Sequence, residues 1–171
     1  MIVGGPGSGK TTLARAVGER TGLPVVHMDA IHYGPGWAER SAAEKGALTR
    51  EVHARERWVF EGGHSATYAE RLARADTLVW LDVPLPVRLW RVLRRTWRHR
   101  GRSRPEMPEG CTERFGAQTL EFVGFILGTS RGARAKVHRL YAGAPAHVRT
   151  VRLRRRADVE AFLDGLPPSD D

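Results

Sequence analysis

The segment Gly4-Gly5-Pro6-Gly7-Ser8-Gly9-Lys10-Thr11, directly behind Met1-Ile2-Val3, restricts the possible folds of this 171-residue chain more than any other. It fits G-x-x-x-x-G-K-[ST] at every fixed position. A short apolar run precedes it, and a helical pattern from Thr11 to Thr21, stopped by Gly22 and Pro24, follows. A bound phosphate presents several oxygens and about two negative charges, so it needs many donors converging without steric cover. Gly4, Gly5, Gly7 and Gly9 let the backbone curve with its N–H groups inward, and the helix behind adds its unpaired N–H groups and positive end. Lys10 is then placed for the β- and γ-phosphates and the Thr11 hydroxyl for Mg²⁺. This Walker A reading assigns Gly5, Pro6, Gly7, Ser8, Gly9, Lys10, Thr11 and Thr12 to ATP. A dinucleotide-binding turn fits poorly, because Lys10-Thr11 would have no purpose there.

The remaining pattern alternates strands with helices. Strands are expected over Val25-Val26-His27-Met28, Trp58-Val59-Phe60, Thr77 to Leu81 and Val148 to Leu153. Helices are expected over 41–57, 67–74, 87–99, 113–127, 131–142 and 157–166, with loops over 30–41 and 100–112. The pattern predicts a three-layer α/β P-loop NTPase fold with a five-stranded parallel sheet and an arginine-rich lid. One domain spans 1–171, with residues of about 95–130 forming the lid and an associated helical insertion.

Ligands of such sheets bind beyond the carboxyl ends of the strands, which places Gly4, Asp29, Glu61 and Asp82 on one side. Asp82 closes the apolar run Leu-Val-Trp-Leu-Asp and suits a Walker-B-type acid orienting Mg²⁺-bound water, giving Thr11 and Asp82 as the metal pair. Asp29 and Glu61 compete for that task, and any of the three acids could be a surface group or a helix cap. Asp29 also precedes His32-Tyr33-Gly34-Pro35-Gly36-Trp37, so it could hold an acceptor hydroxyl while Tyr33 and Trp37 flank a ring or sugar. Those two aromatics fit a core equally well. Gly62-Gly63 would let an acceptor approach the backbone, and His27, His32 and His64 form no recognised metal set.

Residues 88–104 carry eight arginines and no acid, within a chain of net charge +9. Arg88, Arg91, Arg95 and Arg98 follow helical spacing, so they share one side of a helix. Unpaired cations in that density suit a lid closing over transferring phosphates, with Arg91 and Arg95 as catalytic groups beside Lys10 and Asp29. Arg131 and Arg134 can join from a later helix. The alternative is a wet basic face, or a nucleic-acid-binding ATPase or nucleotide-dependent regulator using that face for backbone contacts. No base-reading scaffold accompanies the arginines, so nucleic acid is possible but not favoured.

No apolar run approaches the roughly 20 residues that cross a bilayer, Met1 to Gly5 has no basic n-region, and Cys111 is the single cysteine. These features lead us to expect a cytoplasmic protein without membrane attachment or disulfides. The preferred function is ATP-dependent phosphoryl transfer to a small molecule, nucleoside or nucleotide.

Longer stretches carry a resemblance. GGPGSGKTTLA, LPVVHMDAIHYGPGW, WVFEGGHS, ADTLVWLDVPLPVRLWRVLRR and RGRSRPEMPEGCTERF run in order through residues 4–116, with RLRRRADVEAFL near the end. Together they resemble the adenylate-kinase-like topology modulation proteins of bacteria. That resemblance implies a five-stranded parallel P-loop fold, bound ATP and Mg²⁺, and a mobile arginine lid. Asp82-Val83-Pro84 followed by Arg91 and Arg95 is similar to a strand end whose arginines contact transferring phosphates. It also implies that the segment around Arg155 and Arg156 packs on adenine. Glu61-Gly62-Gly63 departs from the Asp-Gly-Asn of that family, which leaves the acceptor pocket less defined.

Overall fold

The computed structural model describes residues 1–113 and 115–168. In chain order the elements are β1 (Ile2–Gly4), α1 (Lys10–Thr21), β2 (Val25–His27), α2 (Met28–His32), α3 (Ala42–Ala54), β3 (Val59–Glu61) and α4 (Tyr68–Arg74). They continue with β4 (Thr77–Leu81), α5 (Leu85–Arg98), α6 (Ala117–Ala142), β5 (Arg149–Leu153) and α7 (Arg156–Asp164). The five strands form one sheet in the order β2-β3-β1-β4-β5, every neighbouring pair parallel.

Strand alternation sorts the core into two layers. Ile2, Val79 and Leu81 point to one face, against Leu13, Ala14 and Val17 of α1 and, more loosely, Val159 and Phe162 of α7. Val3, Leu78 and Trp80 point to the other, against Leu72 of α4 and Val137 of α6. The His138 and Tyr141 rings of α6 lie 6.0 and 5.6 Å from Trp80. Burying an aliphatic or aromatic side chain of this size contributes about 1.5–3 kcal/mol, so the central strands hold both helix layers in place. From β1 the connections lead to β2 and β3 on one side and to β4 and β5 on the other. That reversal opens a crevice above the end of β1, where the glycine loop begins.

Three local expectations change. The second strand stops at His27, and Met28–His32 coils into a short helix, so Asp29 sits in a first helical turn. Residues 117–142 form one continuous helix instead of two. Gly128 lies in the expected gap, but glycine costs a helix only about 1 kcal/mol, and the Thr129 hydroxyl folds back to donate to the Phe125 carbonyl at 2.7 Å. The helix also starts four residues later than its pattern suggests: Gly116 N–H donates to the Thr119 hydroxyl at 3.2 Å. Arg114, inside that expected start, lies outside the described residues.

Candidate active site

The glycine loop has the backbone that its composition demands. Gly7 and Gly9 adopt φ of 76° and 96°, a region L-residues with side chains rarely enter. The reason for Gly5 lies elsewhere. A Cβ there would stand 1.6 Å from the Arg88 guanidinium, and one on Gly7 would stand 2.2 Å from the Arg88 carbonyl oxygen. Arg88 is therefore a wall behind the loop and not a lid residue, and burial lowers its pKa. Lys10 Nζ donates to the Gly5 carbonyl at 3.3 Å, and Arg91 Nη1 to the Ser8 carbonyl at 3.2 Å, so both cations already rest on the loop. The Ser8 hydroxyl is buried with no hydrogen-bond partner among the described residues.

The acids separate into different environments. The Thr11 hydroxyl donates to Glu61 Oε1 at 3.1 Å, and His27 Nδ1 lies 2.8 Å from the same oxygen. His27 and Glu61 are register partners of β2 and β3, so the sheet itself sets this contact. Glu61 is 2% exposed, so an oxygen donor set is built beside Thr11. Asp82 is engaged differently. Arg134 donates to both of its oxygens at 2.8 and 2.9 Å, and Arg152 Nη2 reaches Oδ2 at 2.5 Å. Hydrogen bonding from Arg134, with Arg152 behind it, holds the carboxyl down to about pH 2 against the cost of burial. Asp82 thus ties β4 to α6 and β5. It contributes nothing to the cavity wall, whereas the neighbouring Leu81 and Val83 do.

That arrangement has a measurable consequence. Asp82→Asn should destabilise the fold by about 1–2 kcal/mol, the scale of losing charge-assisted hydrogen bonds with one partly exposed partner. It should leave Mg²⁺-dependent nucleotide affinity within about threefold. Because the folded pKa is depressed, this stabilisation is present above the ordinary aspartate pKa and lost as pH falls toward 2. Urea unfolding at several pH values, with a nucleotide titration, checks both halves.

A cavity of about 1660 Å³ opens above the strand ends. Residues 6–12 of the glycine loop form its floor, with Asp29, Tyr33, Trp37 and Gly63 on one side and Arg91, Arg94 and Arg95 on another. Arg154, Arg155, Arg156, Val159 and Leu163 close the far end. Arg95 is half-buried, its Nε unpartnered among the described residues; burial and then nearby Arg104 lower its pKa. Arg131 is exposed and absent from the cavity wall, so α6 does not bring it to the loop.

Above the cavity, residues 99–113 fold back on themselves through bridges pairing Arg100 with Glu113 and Ser103 with Thr112. This segment is latched to the loop after α2. Gly36 N–H donates to the Glu109 carbonyl at 3.0 Å, the Trp37 indole to the Thr112 carbonyl at 3.1 Å, and the Cys111 thiol to the Gly34 carbonyl at 3.4 Å. Cys111, fully buried, is thus part of a joint between two cavity walls. The glycine loop, Asp29, Tyr33, Trp37, Arg91, Arg95 and Arg155 are brought to one cavity, with Glu61 buried behind Thr11 and outside the wall. The sequence carried no signal for the Arg88 wall or the His27–Glu61 contact, because both depend on packing across the sheet.

The profile of a protein family described as AAA domain (AAA_18) matches residues 1–113. The chain belongs to this family. The match runs from β1 through the folded-back segment and ends ahead of α6. No curated protein matches. Among solved structures, the chain is similar to a sugar kinase from Janibacter sp. HTCC2649, determined without ligand. Sequence identity is 19%, the TM-score is 0.50, and the alignment covers 95% of this chain and 88% of that one. At this identity the likeness speaks for the α/β P-loop fold alone. No described helix is long and apolar enough to cross a membrane.

Proposed function

We propose that this AAA domain protein is a cytoplasmic, ATP-dependent small-molecule kinase. The observation that carries the reading is convergence: the glycine loop, Thr11 with Glu61 hydrogen-bonded behind it, and the Arg91–Arg95 face of α5 meet at one cavity, bordered by the loop, Thr11 and α5. At about 1660 Å³ it exceeds the roughly 300–1,000 Å³ typical of single-ligand pockets, so a nucleotide and an acceptor fit together. Lys10 and the amides of residues 5–12 would hold the phosphates, and Arg155 with Val159 and Leu163 would border the base. Thr11 and Glu61 offer hard oxygen donors suited to Mg²⁺ and its waters, a better fit than Asp82, whose oxygens arginines occupy. Bound Mg²⁺ would neutralise charge on the phosphates. Asp29, exposed to the cavity, would orient the acceptor hydroxyl, and Arg91 and Arg95 would meet the charge of the transferring group. Residues 99–113 and the start of α6 would serve as the lid that excludes water.

The arrangement of the arginines weighs against a nucleic-acid ATPase. Of the arginines in residues 88–104, Arg91, Arg94, Arg95 and Arg104 border the cavity, whereas Arg98, Arg100 and Arg102 are exposed outside its wall. The resemblance to adenylate-kinase-like topology modulation proteins supports the same small-molecule reading.

The test is ADP release in the presence of Mg²⁺ and a panel of hydroxyl compounds, with phosphorylated products identified by mass. Acceptor-dependent ADP formation is expected, and Glu61→Gln should lower it on the order of 100-fold, with a higher Mg²⁺ requirement. Turnover stimulated by nucleic acid and by no small molecule would overturn the proposal.

A further inference from the structure

We infer that the acceptor is an uncharged polyhydroxyl compound with a ring, such as a sugar or nucleoside, and not a phosphomonoester such as a nucleoside monophosphate. This rests on the phosphoryl-transfer reading and narrows it. A phosphomonoester brings about two negative charges and needs arginine or lysine donors free to meet it. On the acceptor side Arg40, Lys45, Arg71 and Arg104 are engaged elsewhere, and Arg94 and Arg95, wall arginines without an ion pair among the described residues, stand on the α5 side with Arg91. Arg40 Nη1 turns back onto the carbonyls of Ala30 and Ile31 at 2.6 and 2.9 Å. Lys45 pairs with Glu39 at 2.8 Å. Arg71 is fully buried on the Gly63 and His64 carbonyls. Arg104, in the segment above, pairs with Glu113 at 2.9 Å and lies 3.6 Å from Glu106.

What the acceptor side presents instead is negative and aromatic. Asp29 faces the cavity with no ion pair or side-chain hydrogen bond among the described residues, and Glu106 and Glu113 look down from the opposite wall. Arg95 is a cation beside them without an ion pair among the described residues, set where the transferred group would pass. Trp37 is held firmly. Its backbone N–H donates to Cys111 Sγ at 3.4 Å, its indole to the Thr112 carbonyl, and its φ is 66°. A bulky residue kept in that left-handed conformation stores strain the surrounding contacts must sustain, a pattern found at ligand clamps. Tyr33 meets Trp37 edge to face at 5.2 Å, giving an aromatic corner on which an apolar ring face can lie.

The chemistry balances with the nucleoside triphosphate alone as co-reactant. The acceptor hydroxyl oxygen bonds to the γ-phosphorus. The bond from that phosphorus to the β–γ bridging oxygen breaks, and its electron pair leaves on the diphosphate. The hydroxyl proton passes to the Asp29 carboxylate and then to solvent. A dianionic acceptor would have to approach the unpaired Asp29 carboxylate, with Arg104 already neutralised by Glu106 and Glu113 and Arg95 taken up by the transferring group.

The test measures binding and transfer separately. The full chain is loaded with Mg²⁺ and the non-hydrolysable analogue adenylyl imidodiphosphate, which occupies the nucleotide half. Saturation-transfer NMR then compares ribose with ribose 5-phosphate, glucose with glucose 6-phosphate, and adenosine with its monophosphate. At least one neutral member should bind about 100-fold tighter than its phosphorylated partner, as expected where like charges are juxtaposed. Glu113→Gln, which loosens Arg104, should narrow that gap about tenfold. Tighter binding of the phosphorylated member in every pair, or no binding by any neutral member, would overturn the inference. Neutral ligands that bind selectively but receive no phosphate from ATP would instead sink the kinase reading and leave the selectivity standing.

Discussion

Arg95→Ala should lower kcat on the order of 100-fold, about 3 kcal/mol of transition-state stabilisation, while MgATP affinity changes far less. Arg95 is positioned for such a split. It lies in the cavity wall, its Nε has no partner among the described residues, and burial lowers its pKa. A guanidinium in that surrounding interacts strongly with charge that develops beside it. If it meets the phosphoryl group mainly as charge redistributes, its removal affects the rate and not ground-state binding. Arg91, four residues earlier, rests on the Ser8 carbonyl and should show the same direction with a larger effect on affinity. Lysine at either position keeps a charge but loses the planar fork, so rescue should be partial. Steady-state kinetics beside separate binding titrations decide this. Unchanged kcat in both alanine variants would make α5 a wall and nothing more.

The largest stability effect is expected at a residue that touches no ligand. Arg71 is fully buried, and its guanidinium lies 4.5 Å from the centre of the Phe60 ring. It donates to the carbonyls of Gly62 at 3.3 Å, Gly63 at 2.8 Å and His64 at 3.4 Å, and to the Thr67 hydroxyl at 2.9 Å. Burial lowers its pKa to about 10, which still leaves it charged at neutral pH. Arg71→Ala removes every one of these donors and opens a void under β3, so a loss of about 3–5 kcal/mol is expected. Arg71→Met restores much of the volume but none of the donors and should recover less than half of it. The turn held by Arg71 follows Glu61 directly, so turnover should fall in both variants. Urea denaturation measures the stability term, and a loss below about 1 kcal/mol would show that water replaces the guanidinium without penalty.

Sequence reading succeeds here where chemistry is local. Gly4 to Thr11 are contiguous, and their spacing alone requires a phosphate-sized concavity ahead of a helix. The apolar strands alternate with helices at periods that predict a five-stranded parallel sheet, and that sheet is found. Carboxylate roles are less legible, because three acids at three strand ends are equivalent until their partners are known. Asp82 meets Arg134 and Arg152, 52 and 70 residues away, while Glu61 meets His27 and Thr11. Neither pairing has a local signature. The same limit hid Arg88: helical spacing grouped it with Arg91 and Arg95, but its turn of α5 is pressed against Gly5 and Gly7. The break expected between 127 and 131 is absent from α6, since the glycine at 128 costs a long helix little beside its remaining backbone hydrogen bonds.

The central claim is that the loop of residues 4–11 holds MgATP by its triphosphate. Calorimetric titration of wild type and Lys10→Ala with ATP, each with and without Mg²⁺, tests it most directly, after circular dichroism has confirmed that both are folded. Wild type should bind in a metal-dependent manner, and Lys10→Ala should lose at least about 100-fold in affinity, the scale of removing a charge-assisted phosphate contact. Equal MgATP affinity in a correctly folded Lys10→Ala protein would contradict the account.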